Sequence, residues 1–305
     1  MRMATIRHYL SLIKFSHTIF AMPFALIGFF LGWLRPPAAS FDSLLDKFQE
    51  NQQWGLLLKY LGLVILCMIF ARSAAMAFNR YLDRHIDAKN PRTAVREIPR
   101  GIIAPKHALF FTILNGFFFV FTCSFINRVC FYLSPLALAV VLGYSYTKRF
   151  TALSHLVLGL GLSLAPIGAY LAVTGAFDLL PLLFSAAVLF WVSGFDIIYS
   201  LQDEEFDRGQ NLHSIPARLG KAKALVVSAL LHLFCVASIV GAGIYGEFEW
   251  LYWGGCAIFV AMLIYQHAIV RPDDLSRVNF AFMTANGIAS VIFAVFVIAD
   301  LFINS

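Results

Sequence analysis

Charged side chains are scarce in this chain. Asp, Glu, Lys and Arg make up 13% of its 305 residues, against 60% hydrophobic ones. Soluble domains carry about a quarter charged residues, so an ordinary soluble domain is excluded. No basic cluster with a soluble domain to carry it exists, which removes nucleic acid as a partner. Cysteine is also thin and unpatterned. Cys67, Cys123, Cys130, Cys235 and Cys256 lie in or beside apolar runs and form no C-x-x-C pair, so they read as small packing residues rather than disulfides or metal thiolates. The first apolar run, from about Ile19 to Leu34, has no A-x-A-like cleavage site after it and reads as a membrane span, not a removed signal.

What the chain has is apolar length, repeated. Nine candidate spans run roughly over 17–35, 56–80, 107–126, 129–147, 153–174, 179–202, 221–245, 250–270 and 280–302. Each is near the ~20 residues a helix needs to cross hydrocarbon. The expectation is an all-α polytopic membrane protein, one membrane domain over 1–305, with residues 2–16 as an interfacial amphipathic helix. Nine spans put 19 of the 23 basic residues on the N-terminal side of the membrane. The positive-inside rule then places the N-terminus and the loops after spans 2, 4, 6 and 8 in the cytoplasm, in an inner (cytoplasmic) membrane.

Two of those cytoplasmic loops are long and polar, and each adjoins an acidic motif. Asn79, Asp83 and Asp87 are spaced i, i+4, i+8 and make one polar stripe on a helix. Asp196, Tyr199, Asp203 and Asp207 follow at steps of 3, 4 and 4. Both motifs precede basic, proline-containing stretches: Asn90-Pro91-Arg92 and Ile98-Pro99-Arg100 after the first, Ile215-Pro216-Ala217-Arg218 after the second. The 120-residue offset from Asp83 to Asp203 reads as a weak internal repeat whose halves face each other.

Four or five carboxylates converging at one depth repel each other unless metal ions are bound. A hard cation such as Mg2+ suits carboxylate and amide oxygens and prefers to share them with phosphate. The nearby Arg92, Arg96, Lys148 and Arg149 would hold the same anion. A diphosphate is therefore the natural guest, with a lipid tail among the apolar spans. The 31 phenylalanines read mostly as packing and lipid-facing residues. Of the eight histidines only His85 and His213 fall within the acidic loops, without metal-ligand spacing.

Asn79-x-x-x-Asp83-x-x-x-Asp87 with Asp203-x-x-x-Asp207 resembles the signature of the UbiA superfamily of intramembrane aromatic prenyltransferases. The string from Asn79 to Gly101 and Tyr144-Ser-Tyr-Thr-Lys148-Arg149 are most similar to its 4-hydroxybenzoate polyprenyltransferase branch. The resemblance implies a nine-helix bundle around a central, lipid-open cavity. It implies Mg2+-dependent transfer of a polyprenyl group from polyprenyl diphosphate to an aromatic ring, in ubiquinone or menaquinone biosynthesis. Asn79, Asp83, Asp87, Asp203 and Asp207 would hold two Mg2+ ions and, through them, the diphosphate. Arg92, Arg96 and Lys148 would contact its oxygens, and Tyr144 and Tyr199 would line the site beside it. Asp196 would belong to the acidic cluster, and Arg72 would pair with the carboxylate of an aromatic acid acceptor.

Arg72 has an independent argument. It lies about 11 Å deeper than Asn79 along a helix, where an arginine is costly unless it faces a cavity and an anion. The anion is either a substrate carboxylate or a motif carboxylate. In the expected reaction the allylic diphosphate ionises, the ring attacks the allylic carbon and a proton leaves to a nearby base. Other acceptors fit the same frame: a dihydroxynaphthoate, a haem vinyl group, a chlorophyllide or a homogentisate. A secondary transporter using intramembrane acids is the rival of another class. It calls for acids at the bilayer midplane, whereas these gather at one interface.

Overall fold

The computed structural model describes residues 6–13, 20–36 and 50–304. These are helical throughout, with no strand among them. The helices are α1 (Ile6–Leu12), α2 (Met22–Leu34), α3 (Glu50–Asp87), α4 (Pro105–Ser124), α5 (Arg128–Thr147), α6 (Ser154–Thr174) and α7 (Leu179–Ser200). After a 3-10 turn over Leu201–Asp203 come α8 (Glu204–Gly209), α9 (Ile215–Leu219), α10 (Lys221–Tyr245), α11 (Trp250–Ile269), α12 (Val278–Phe280) and α13 (Asn286–Ile303). A π-turn over Ala281–Ala285 joins the last two.

Eight helices among the described residues are long and apolar enough to cross a membrane. The expected span 17–35 is represented by α2, whose 13 residues rise only about 20 Å; positions 17–19 lie outside the described residues. By this measure the count is eight spans and one short apolar helix, rather than nine. Of the expected amphipathic helix 2–16, the described part is α1. Its Ile6 is exposed and its Leu12 is buried against Ala77, Ile98 and Ile103, so this helix docks on the end of α3 and the loop beyond it.

Two boundaries differ in a way that matters for the site. Helix α3 continues to Asp87, so the first acidic stripe is helical over its whole length and the loop starts only at residue 88. The second motif is not one helix: α7 ends at Ser200, and the 3-10 turn separates Asp196 and Tyr199 from Asp207 on α8. The tighter turn re-aims Asp203 and Asp207 relative to a straight α-helix.

Packing runs through α6 and α7, which lie against each other. α2 packs on α6, α10 on α7, α4 on α3 and α13 on α11. Small residues permit these close crossings. A Cβ at Gly28 would lie 2.0 Å from the Pro166 carbonyl oxygen, and one at Gly159 would lie 2.4 Å from that of Leu189. The main core gathers Phe24, Phe184, Trp191, Tyr252, Phe259 and Phe293. A buried polar cluster sits within it around Asn286. Asn286 Oδ1 accepts from Trp191 Nε1 at 2.9 Å and from Gln266 Nε2 at 2.7 Å, while Asn286 Nδ2 donates to the carbonyls of Ala281 and Phe282. Those two donations tie the Asn286 side chain to the π-turn. On the outside, Phe110, Ile113, Phe117 and Phe121 of α4 form an exposed stripe at helical spacing, the face such a helix turns to lipid.

Candidate active site

Twelve of the residues singled out in the sequence line one cavity of about 550 Å3: Arg72, Asn79, Asp83, Asp87, Arg92, Arg96, Tyr144, Lys148, Asp196, Tyr199, Asp203 and Asp207; Arg149, also expected to hold the anion, is not in its lining and pairs with Asp83 instead. The last turns of α3, α5 and α7 deliver most of them, with the loop after α3 closing over the end. Asn79 Nδ2 donates to Asp83 Oδ2 at 3.2 Å, a contact made by the four-residue spacing.

Each motif carboxylate with a resolved partner is matched to a base. Asp83 is buried and takes Lys148 on one oxygen and Arg149, at 2.9 Å, on the other. Asp87 takes Arg96 at 2.7 Å. Asp203 takes a two-pronged contact from Arg92, whose Nη1 also donates to the Tyr199 hydroxyl at 2.8 Å. Burial works against the Arg92 charge, but its bonds and attraction to Asp203 outweigh that and hold its pKa above the usual guanidinium value. Asn90 braces the pair: its Nδ2 donates to Asp203 at 3.0 Å and its Oδ1 accepts from the Arg92 backbone N–H. Tyr199 itself stacks on Phe282 at 4.2 Å between centroids.

Arg72 makes no ion pair among the described residues, and its Nε is buried without a hydrogen-bond partner. An internal pair with a motif carboxylate is therefore not what it forms. It stands where the acidic cavity meets a second, apolar one of about 220 Å3, and Arg72, Met76, Tyr144, Leu158 and Leu162 line both. The apolar cavity continues between α3, α5 and α6 past Cys67, Cys123 and Cys130. The cysteines are free, and three of them are cavity wall.

Three cavity residues escaped the sequence reading. Arg80 is 4% exposed, with an unpartnered Nε, and lines the cavity although it lies off the Asn79 stripe. Asn90 had only its place in a turn-like Asn-Pro to mark it. His155 is buried at the start of α6, its Nδ1 2.7 Å from Asp196 Oδ2. Its one sequence signal was a histidine at the end of a span, shortly after Lys148-Arg149.

The residues fit a divalent cation in the chemistry of their donors, which are hard carboxylate and amide oxygens. Asp87 lines the chamber, and its buried Oδ2 has no hydrogen-bond partner among the described residues. Among the described residues no three acidic, histidine or cysteine side chains enclose an ion by themselves.

Fold and site together define a multi-pass membrane protein with a charged chamber opening onto an apolar one. Residues 48–288 match the UbiA prenyltransferase family. The chain is 31% identical over 247 residues to 4-hydroxybenzoate octaprenyltransferase of Nitrosomonas europaea, covering 79% of this chain and 82% of the relative. It is 29% identical over 248 residues to the enzyme of the same name from Aeromonas salmonicida, covering 79% and 81%. Among solved structures, the apo form of a UbiA homolog from Aeropyrum pernix K1 superposes with a TM-score of 0.74 at 29% identity, over 94% of this chain and 98% of that one. A UbiA homolog from Archaeoglobus fulgidus bound to DMAPP and Mg2+ shares the fold, with a TM-score of 0.71 at 20% identity over 97% and 99% of the two chains. The chain belongs to the UbiA prenyltransferase family and is a prenyl-transferring enzyme.

Proposed function

We propose that this enzyme transfers a polyprenyl group from polyprenyl diphosphate to the ring of 4-hydroxybenzoate or a similar aromatic acid, with Mg2+, in the making of a membrane quinone. The observation that carries this is the junction of the two cavities. One chamber has matched acids and bases for a metal-held diphosphate. The other is apolar and suits a prenyl tail. An arginine with no counter-ion among the described residues stands between them.

Asn79, Asp83, Asp87, Asp203 and Asp207 would hold the metal, whose part is to neutralise charge on the leaving diphosphate. Arg92, Arg96 and Lys148 now neutralise Asp203, Asp87 and Asp83. With the carboxylates holding metal, these three bases would be free to hold diphosphate oxygens. Tyr144 and Tyr199 wall the chamber beside the breaking bond, and Tyr199 holds Arg92 in place through its hydroxyl. The apolar walls beyond Tyr144 keep water from the allylic cation. Arg72 offers a fork to the acceptor's carboxylate, which sets that acid's ring at the junction, between the charged head and the tail. We place the chamber on the cytoplasmic side of an inner membrane, where the basic loops fall under the positive-inside rule.

The test is transfer by the purified protein in nanodiscs, given Mg2+, polyprenyl diphosphates of several lengths and a panel of aromatic acids. Prenylation of hydroxybenzoate that EDTA abolishes and Mg2+ restores is the expected result. Turnover of a dihydroxynaphthoate alone would move the acceptor. Prenylation of no acid in the panel would overturn the reading.

A further inference from the structure

Aromatic C-prenylation ends with loss of a proton from the attacked ring carbon, and the motif carboxylates proposed to hold the metal, Asp83, Asp87, Asp203 and Asp207, are poorly suited to take it. Asp83, Asp87 and Asp203 are bridged by Lys148 with Arg149, Arg96 and Arg92 respectively, and Asp207 stands on α8, past the 3-10 turn. A carboxylate engaged with a base or a metal has its lone pairs already occupied. Asp196 differs. Its partner is His155, and no arginine or lysine bridges it among the described residues.

The geometry fixes how His155 holds it. The backbone N–H of Ile215, at the first position of α9, donates to His155 Nε2 at 3.4 Å. Nε2 is therefore the acceptor nitrogen, and Nδ1 carries the hydrogen that it donates to Asp196 Oδ2 at 2.7 Å. His155 is 4% exposed, while the Asp196 side chain keeps 24% of its surface and lines the charged chamber. Ile215 N–H is one of the donors a helix start leaves without a partner, so a single ring ties the carboxylate to the loop after the second motif.

Depth places Asp196 at the right level. Arg72 lies seven residues, about two turns or 10 Å, before Asn79 on the unbroken α3, and Asp196 lies seven residues before Asp203, on the last turns of α7 ahead of the 3-10 turn. Arg72 and Asp196 line the same chamber from α3 and α7, inward of the motif carboxylates.

We propose that Asp196, oriented by His155 as a positioning residue, is the group that takes the ring proton. The step balances. The allylic C–O bond breaks and its electron pair leaves on the diphosphate; a ring carbon then bonds to the allylic cation with a pair of its π electrons. The proton of that ring carbon then passes to Asp196, and its C–H electrons restore the aromatic ring. His155 keeps its Nδ1 hydrogen bond to Oδ2 and so holds the carboxylate in place. This rests on the prenyl-transfer reading.

The experiment compares wild type, D196N, H155F and H155N with ring-protonated and ring-deuterated hydroxybenzoate, at saturating Mg2+ and prenyl diphosphate, after a folding check by gel filtration. Wild type should show an isotope effect near unity, since ionisation precedes proton loss. D196N should lose roughly 100-fold or more in kcat, acquire a clear primary isotope effect, and leave the KM for prenyl diphosphate unchanged. H155F should follow it in part, and H155N, which keeps an N–H for Asp196, should recover most of the rate. Inactive wild type would refute the prenyl-transfer reading itself. Active wild type with near-normal D196N, or with D196N slowed without an isotope effect, would overturn the role of Asp196. A loss confined to donor KM would make Asp196 part of the diphosphate site instead, and would equally overturn it. H155F at full rate, or H155N no better than H155F, would overturn the role of His155.

Discussion

Arg72 is the residue whose surroundings say most about its partner. A guanidinium two turns inward of the acidic stripe, with a buried and unpartnered Nε, holds an unmet demand for an anion. Every motif carboxylate with a resolved salt bridge is claimed by another base. R72A should therefore raise KM for the aromatic acid about 10- to 100-fold, the scale of one charge-assisted hydrogen bond, with donor KM unchanged. A rise confined to the prenyl diphosphate would contradict that assignment. R72K should recover only part of the loss, because an ammonium lacks the planar fork. Arg72 and the acidic stripe were legible in the sequence because helical periodicity and hydrocarbon depth constrain a charged residue tightly. Arg80 and His155 were not. Their importance comes from burial and from neighbours far along the chain, such as Asp196 and Ile215, which no local spacing records.

At the level of elements, the extent of α3 and the break after α7 shape the site. Both acidic motifs could be read from i, i+4 spacing, but only α3 continues unbroken through its motif. Nothing local in Ser200-Leu201-Gln202-Asp203 marks the 3-10 turn. The π-turn before α13 has a clearer cause in Asn286. N286L would strand the Trp191 and Gln266 donors in the core and free the carbonyls of Ala281 and Phe282. Each buried group left unpaired costs about 1–3 kcal/mol. We expect a lower melting temperature in detergent, and a weakened Tyr199–Phe282 stack that lowers activity before the protein unfolds. Unchanged melting in N286L would mean that the π-turn is held by packing alone.

For the whole molecule, class and architecture followed from apolar length, while the span count did not carry over cleanly, since α2 is short for a span. The proposed orientation is testable at two exposed positions on opposite ends of the bundle. Val95 lies in the loop after α3 and Phe177 in the connection between α6 and α7. On a background lacking the native cysteines, V95C should react with an impermeant maleimide in inside-out vesicles and F177C in right-side-out ones. The reverse pattern would invert the topology.

The neck at Arg72 and Tyr144, common to both cavities, has a consequence for how turnover ends. On the proposed reaction the two products have opposite solubility. Free diphosphate belongs to water and leaves past the loop after α3. The prenylated acid is now anchored by its tail and leaves sideways into lipid between helices. With separate exits, neither product needs to wait for the other. Added diphosphate should then compete with the donor alone, while accumulated prenylated acid competes with both substrates.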